Sequence, residues 1–294
     1  MNILEECVLL LCCRLGDPKI RPLTMPRFKE LGLRVLSSLI GGNHLTELRP
    51  SDLCRIGYPR EEAEHIIDLL DRKDALDAYL AHGETLGIYP ITRVSEDYPS
   101  RITKKQSMSR PPSLFVMGDA SLLEKPAIAV VGSRDLQAEN ERFARAAGRL
   151  AAEEGYILVS GGARGADTAA QEACLEAGGK CMIFVAGSLQ SCTPNQNILY
   201  ISEDGYDIPF SAARALHRNS LIHIMGEKTL AAQCTREKGG TWQGCTENLK
   251  RGWSDLFVFD DGSEAMQMLM DLGATGISIP ERFEDLQTMQ TSLF

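Results

Sequence analysis

Five short runs, Ala127–Val131, Tyr156–Ser160, Cys181–Ala186, Thr229–Cys234 and Leu256–Phe259, are predominantly apolar, with no period-two alternation of polar and apolar residues. A strand with one wet face alternates, whereas a strand apolar on both sides is covered on both faces, as in a parallel sheet between two helical layers. The intervening segments supply the helices. Ala138 to Glu154 places Phe143, Ala147, Leu150 and Ala151 on one face, and Gly155 stops it. A second helix is expected from Thr168, where T-A-A-Q reads as a capping box closed by Gln171, to Gly178-Gly179. Strand and helix alternating through short loops predict an α/β fold with a doubly wound, mostly parallel sheet.

The rest of the chain reads differently. From Ile3 to about His82 apolar residues recur at helical spacing, as in Phe28-Leu31-Leu33-Val35-Leu36-Leu39 and Ala63-Ile66-Ile67-Leu70, so 1–84 is expected to be a small helical domain. Residues 85–126 form a connector with extended candidates at Gly87-Ile88-Tyr89-Pro90 and Leu114-Phe115-Val116-Met117. The α/β core is expected over 127–274, and 275–294 as a flexible tail. Nine cysteines without a C-x-x-C pair or a histidine at ligand spacing point to reduced thiols, with no metal or cofactor. The apolar stretch Cys7 to Cys13 is too short to span a bilayer, follows two glutamates and lacks a basic flank, which predicts a cytoplasmic protein without a membrane contact. Cys12 and Cys13 are expected in the core of the first helix.

In a doubly wound sheet, ligands bind beyond the carboxyl ends of the strands. That edge carries Gly132-Ser133-Arg134, Gly161-Gly162-Ala163-Arg164-Gly165, Gly187-Ser188 and Arg236-Glu237-Lys238-Gly239-Gly240-Thr241. Glycines let backbone N–H groups approach an anion, helix N-termini add positive potential, and arginines supply bidentate contacts. A phosphate-bearing ligand is therefore expected at this rim, with Asp167 in its neighbourhood as a site or capping residue. The net charge of −9 excludes a broadly basic nucleic-acid coat and leaves a local basic site. Trp242, after the Gly-Gly turn, is the expected base-stacking residue, and Trp253 is expected to be buried. His217 and His223, six apart, read as structural, and Ser133 and Ser160 have no evident base partner, which argues against nucleophilic catalysis.

These segments together resemble the DNA-processing protein A family (DprA/Smf). The resemblance rests on S-E-D-Y-P-S-R (Ser95–Arg101), P-P-S-L-F-V-M-G-D (Pro111–Asp119), V-V-G-S-R (Val130–Arg134) and S-G-G-A-R-G-A-D (Ser160–Asp167) with the following A-A-Q-E-A-C-L-E-A-G-G. P-N-Q-N (Pro194–Asn197) and H-R-N-S-L-I (His217–Ile222) complete it. It implies an extended Rossmann-like domain that binds single-stranded DNA, passes it to a RecA-type recombinase without breaking a bond, and pairs as a homodimer. It places Arg134, Ser160, Gly161, Arg164, Gly165, Arg218, Asn219 and Thr241 at a phosphate-binding groove, to which the glycine turns of the rim add Gly132, Ser133, Gly162, Asp167, Lys238 and Gly240 as expected binding residues. The helical N-terminal region is similar to the family's SAM-like or helix-hairpin-helix module. The chain departs from the family pattern at Gln171, where a His is usual, at Thr193, where a Tyr is usual, and in G-G-T-W-Q-G-C-T-E-N, and the C-terminal winged helix of many members is not expected in it.

Two other readings share the same rim. The run G-G-T-W-Q-G-C-T-E is similar to the catalytic loop of LOG nucleotide phosphoribohydrolases, although six residues separate Thr241 from Glu247. A sensor of a small nucleotide signal would need a closed pocket where strand binding needs an open groove. The terminal Q-T-S-L-F resembles the peptide that replication proteins insert into the DNA sliding clamp, which makes Gln290, Leu293 and Phe294 candidate partner-binding residues.

Overall fold

The structure, a computed structural model, describes residues 1–38, 47–105 and 111–287. The chain falls into two compact units, one drawn from Met1–Tyr98, Gln106–Met117 and Ser202–Ile208, the other from Pro99–Lys105, Gly118–Ile201 and Pro209–Phe294.

The first unit holds α1 (Ile3–Cys12), α2 (Met25–Ser38), α3 (Pro50–Arg55), α4 (Arg60–Leu70) and α5 (Lys73–Thr85), then β1 (Ile88–Thr92). Asn2 caps α1: its side chain accepts from the Glu5 amide at 2.9 Å, and the Glu5 carboxylate accepts from the Asn2 amide at 2.6 Å. Every residue from Cys7 to Cys13 is buried, as expected for the apolar run. Of the apolar residues expected along α2, Leu31 is buried and Phe28 and Val35 pack against the same core, while Leu33 and Leu36 are exposed. At about 100° per residue those two lie off the core face.

The segment 202–208 closes onto α5. Tyr79 donates to Asp207 Oδ1 at 2.6 Å, Tyr206 donates to the Tyr79 carbonyl at 2.9 Å, and the two rings stack at 4.2 Å.

The strand β2 (Ser113–Met117) pairs antiparallel with β1 within the first unit, and the second unit takes in the short helix that precedes β2 in the chain, α6 (Ser100–Lys105). The sheet elements then alternate as β3 (Ala127–Val131), α7 (Ala138–Glu153), β4 (Ile157–Ser160), α8 (Ala166–Glu176), β5 (Cys181–Phe184) and β6 (Ile198–Glu203). They continue as α9 (Ala212–Met225), β7 (Lys228–Ala231), α10 (Gly239–Arg251), β8 (Asp255–Phe259), α11 (Glu264–Asp271) and β9 (Thr275–Ile277). Strands β3 to β9 lie in the order β6-β5-β4-β3-β7-β8-β9, and every registered neighbour pair is parallel. The α/β, doubly wound expectation holds.

Order and connection define the site. From β3 the chain winds outward through β4, β5 and β6, then returns to the other side of β3 as β7 and winds out through β8 and β9. The direction reverses between β3 and β7, which opens a crevice at their carboxyl ends.

Three local expectations are revised. The fourth strand ends at Ala231, and the loop after it carries Gln233, whose carbonyl accepts the Ser133 amide at 2.8 Å. α8 begins at Ala166 behind Gly165, and no capping box forms, because Thr168 donates to the Ala163 carbonyl and Gln171 to Ser160. In the segment expected as tail, β9 pairs with β8, and Phe283 is fully buried with an edge-to-face contact to Tyr156 at 5.6 Å. Burying that ring outweighs the polar composition around it.

Helices α7 and α8 approach closely because position 148 has no side chain: a Cβ there would lie 2.0 Å from the Ala170 carbonyl oxygen. Gly148→Val is expected to lower stability by about 1–3 kcal/mol. Gly32→Ala in α2, where a Cβ meets nothing within 4 Å, should be neutral or stabilising by up to about 1 kcal/mol. Urea-unfolding midpoints of the two variants check this contrast.

Candidate nucleic-acid interface

The crevice between β3 and β7 holds a cavity of about 530 Å³. Its walls come from the turn after β3 (Gly132, Ser133, Arg134), from the β4–α8 loop and first turn (Ala163, Asp167), from α9 (Arg218, Asn219) and from the start of α10 (Lys238, Gly240, Thr241). These positions were named from sequence, and the fold brings them to one place. Three cationic side chains, Arg134, Arg218 and Lys238, face the cavity against one carboxylate, Asp167.

Asp167 is the buried keystone of this wall. Its Oδ2 accepts the amides of Gly161 at 3.1 Å and Ala163 at 3.2 Å, and Arg218 Nη1 stands 4.0 Å away. Burial pushes its carboxyl up, opposed by Arg218, by the two amides and by Arg134. Gly161 is required here, since a Cβ would fall 1.2 Å from Arg218 Nη1. Gly165, at φ +91°, lets the loop close on the first turn, where a Cβ would meet the Ser133 carbonyl at 2.2 Å.

This geometry alters the role of the second glycine turn. The Gly161 and Ala163 amides point inward to Asp167, so they do not form the expected anion cradle. Ser160 is buried and bonded to Gln171, Gly161 lies behind Arg218, and Gly162 and Arg164 are exposed outside the cavity. Arg164 pairs with Asp135 at 2.6 Å, both largely exposed. Ser160, Gly161, Gly162, Arg164 and Gly165 thus brace or border the cavity without lining it.

The donors that do face it belong to α10. Its first turn has no side-chain cap, and Gly239, Gly240 and Thr241 line the cavity, so a helix N-terminus opens there beside Lys238. Thr241 donates to the Gly132 carbonyl at 2.9 Å and Asn219 donates to the Gly240 carbonyl at 3.2 Å, tying the three walls together.

Several lining residues were not named as site residues from the sequence, among them Phe210, Leu216, Ile222, His223, which was read as structural, and Gln243. Four of these five sit on or just before α9 and the fifth, Gln243, on α10, and a Pro-Phe pair directly ahead of the Ser211 cap was the available cue for Phe210. Trp242 does not line the cavity: it is turned about 100° from Thr241 round the helix and is half-buried. Trp253 is buried as expected. Glu247 accepts from Arg251 at 2.7 Å and is absent from the cavity wall, which removes the glutamate a phosphoribohydrolase would need there. Gln290, Leu293 and Phe294 lie outside the described residues. No described helix is long and apolar enough to cross a membrane, and no metal-binding cluster occurs among the described residues.

His223 forms part of the cavity floor, with Nδ1 3.3 Å from Thr229 Oγ1. Burial pushes its pKa down to about 4. The unfolded imidazole titrates near 6.5 and so takes up protons that the folded one refuses, hence its stability contribution is full above pH ~6.5 and is lost as pH falls toward 4. Wild type should lose about 3 kcal/mol from this source by pH 4. His223→Gln should flatten that acid limb in urea midpoints measured from pH 7 to pH 4.

A sequence model of the DNA recombination-mediator protein A family matches residues 90–283. The chain is 27% identical over 216 residues to Protein Smf of Escherichia coli, across 68% of this chain and 56% of that protein. It is also 27% identical over 228 residues to DNA processing protein DprA of Bacillus subtilis, across 72% of this chain and 75% of that one. The crystal structure of DNA processing protein A from Streptococcus pneumoniae superposes with a TM-score of 0.66 at 24% identity, covering 90% of this chain and 92% of that one. A structure of DNA processing protein A from Helicobacter pylori gives 0.54 at 24% identity over 65% of this chain and 90% of that one. The motifs, the doubly wound sheet and the family match agree: this chain belongs to the DNA recombination-mediator protein A family.

Proposed function

We propose that the cavity at the β3/β7 crevice binds the phosphodiester backbone of single-stranded DNA and breaks no bond in it. The observation that carries this reading is the convergence of Arg134, Arg218, Lys238 and the uncapped α10 N-terminus on one cavity. Charged donors and a helix terminus hold phosphate without reading sequence, so little base preference is expected. The H. pylori relative is described with a unique single-stranded DNA binding mode, which supports the same ligand class here.

A volume of about 530 Å³ seats one nucleotide unit, so a strand enters at one point and continues over the rim. Handover to a RecA-type recombinase, pairing as a homodimer, a cytoplasmic location and a sliding-clamp contact through Gln290, Leu293 and Phe294 are further parts of this proposal. They rest on the sequence pattern.

Fluorescence anisotropy of a labelled single strand across a salt series tests the reading. Affinity should fall with salt, and Arg134→Ala or Lys238→Ala should each reduce the salt slope by about 0.7, one phosphate contact on a single strand. Arg164→Ala should change it less, since that guanidinium is already paired with Asp135. Absence of wild-type binding at low salt would overturn the proposal. A single-stranded preference unaffected by both cavity variants would move the site elsewhere.

A further inference from the structure

The cavity has a second wall that the phosphate reading leaves unused. Phe210, Ala212, Ala215 and Leu216 form an apolar side at the start of α9. Phe210 is 61% exposed and Leu216 38%. Phe210 sits just before Ser211, whose side chain caps α9 by accepting the Arg214 amide at 3.2 Å. At that position an aromatic ring is expected to fold down on the helix as a staple against the fourth helical residue, here Ala215. Most of the ring stands in solvent instead, at the mouth of a cavity whose other walls carry three cations.

Leaving a phenyl ring in water costs free energy that burial would recover, and the surrounding side chains define what recovers it. Arg134, Lys238 and the α10 terminus set the anionic end of a ligand, and Phe210 offers a flat apolar face beside it. A nucleotide in a single strand has that combination of phosphate and free π-face, whereas a duplex base has both faces stacked on its neighbours.

We propose, resting on the reading that this cavity binds DNA, that Phe210 is the base-stacking platform of the site and the source of its preference for single strands. Stacking replaces the missing staple and assigns to Phe210 the role that sequence spacing placed on Trp242. It also divides the labour: cations supply salt-dependent affinity common to any phosphodiester chain, and the ring supplies salt-independent affinity restricted to unpaired bases.

The test uses the full chain with Phe210→Ala, Phe210→Leu and Phe210→Trp variants, titrated against labelled oligothymidine, the same length of duplex, and an abasic strand with the same number of phosphates. Because Phe210 is largely exposed, these variants keep the fold, which their thermal unfolding midpoints verify. Ala and Leu variants should bind oligothymidine about 5- to 150-fold more weakly with an unchanged salt slope, while the Trp variant binds at least as tightly as wild type. The abasic strand should weaken wild type by a similar factor and leave the Ala variant unchanged, and duplex affinity should not move. Wild-type binding that is indifferent to Phe210→Ala, or a Leu variant as tight as the Trp variant, overturns the stacking role alone. A fall in salt slope on Phe210→Ala overturns it too, since the ring would then be positioning a phosphate contact. Failure of wild type to bind any strand at low salt overturns the underlying DNA reading instead.

Discussion

The contact of the Asp167 carboxylate with the Gly161 and Ala163 amides, under the guanidinium of Arg218, is the interaction on which the binding edge depends. A buried carboxylate is tolerated only where donors surround it, and removing one partner leaves the rest uncompensated. The amides fix the loop after β4, and Gly161 leaves the space that Arg218 occupies. Arg218 in turn lies on α9, whose neighbour Asn219 bonds the Gly240 carbonyl of α10. One acid thus connects the β4 loop, α9 and the α10 terminus. Its cost to anion binding is also local: a negative charge stands in the cavity wall, and the glycine-loop amides are turned away from any ligand.

Charge on this chain is organised by distance. The net charge is −9, yet the cavity wall holds three cationic side chains against one acid. Next to it, two cations of the same loops are paired, Arg164 with Asp135 and Arg236 with Glu264, all exposed. Exposed pairs of this kind contribute little stability and are screened within about 8 Å at physiological ionic strength. An approaching phosphate therefore meets an acidic surface until it is close to the crevice. Attraction becomes strong only inside it, where the α10 dipole and the cations act through less water.

Much of the architecture was legible because periodicity is a local property. The apolar runs at 127–131, 157–160 and 256–259 can be satisfied only by cover on both faces, and they became parallel strands of one sheet. Glycine spacing likewise marked the turns at 132, 161 and 165. What spacing could not assign was direction: Gly161 and Ala163 look like an anion nest, but Asp167 six and four residues on takes their amides. Trp242 looked aimed at the ligand, yet one helical step from Thr241 carries it away. The strands at 198–203 and 275–277 were missed because the first follows a Pro- and Asn-containing turn and ends in Ser-Glu, while the second has only three residues, and each is held by a parallel neighbour.

The sequence by itself determined the doubly wound sheet, the rim that carries its glycine turns, and the family to which the chain belongs, because these depend on which residues follow one another. Tertiary structure alone decided that the chain reverses between β3 and β7, which amides face a carboxylate and which face the cavity, and that Phe210 stands open beside Arg134 and Lys238. Those facts join residues about a hundred positions apart, as with Arg134 and Lys238. Such distances are set by how helices pack across the sheet, which no local pattern encodes.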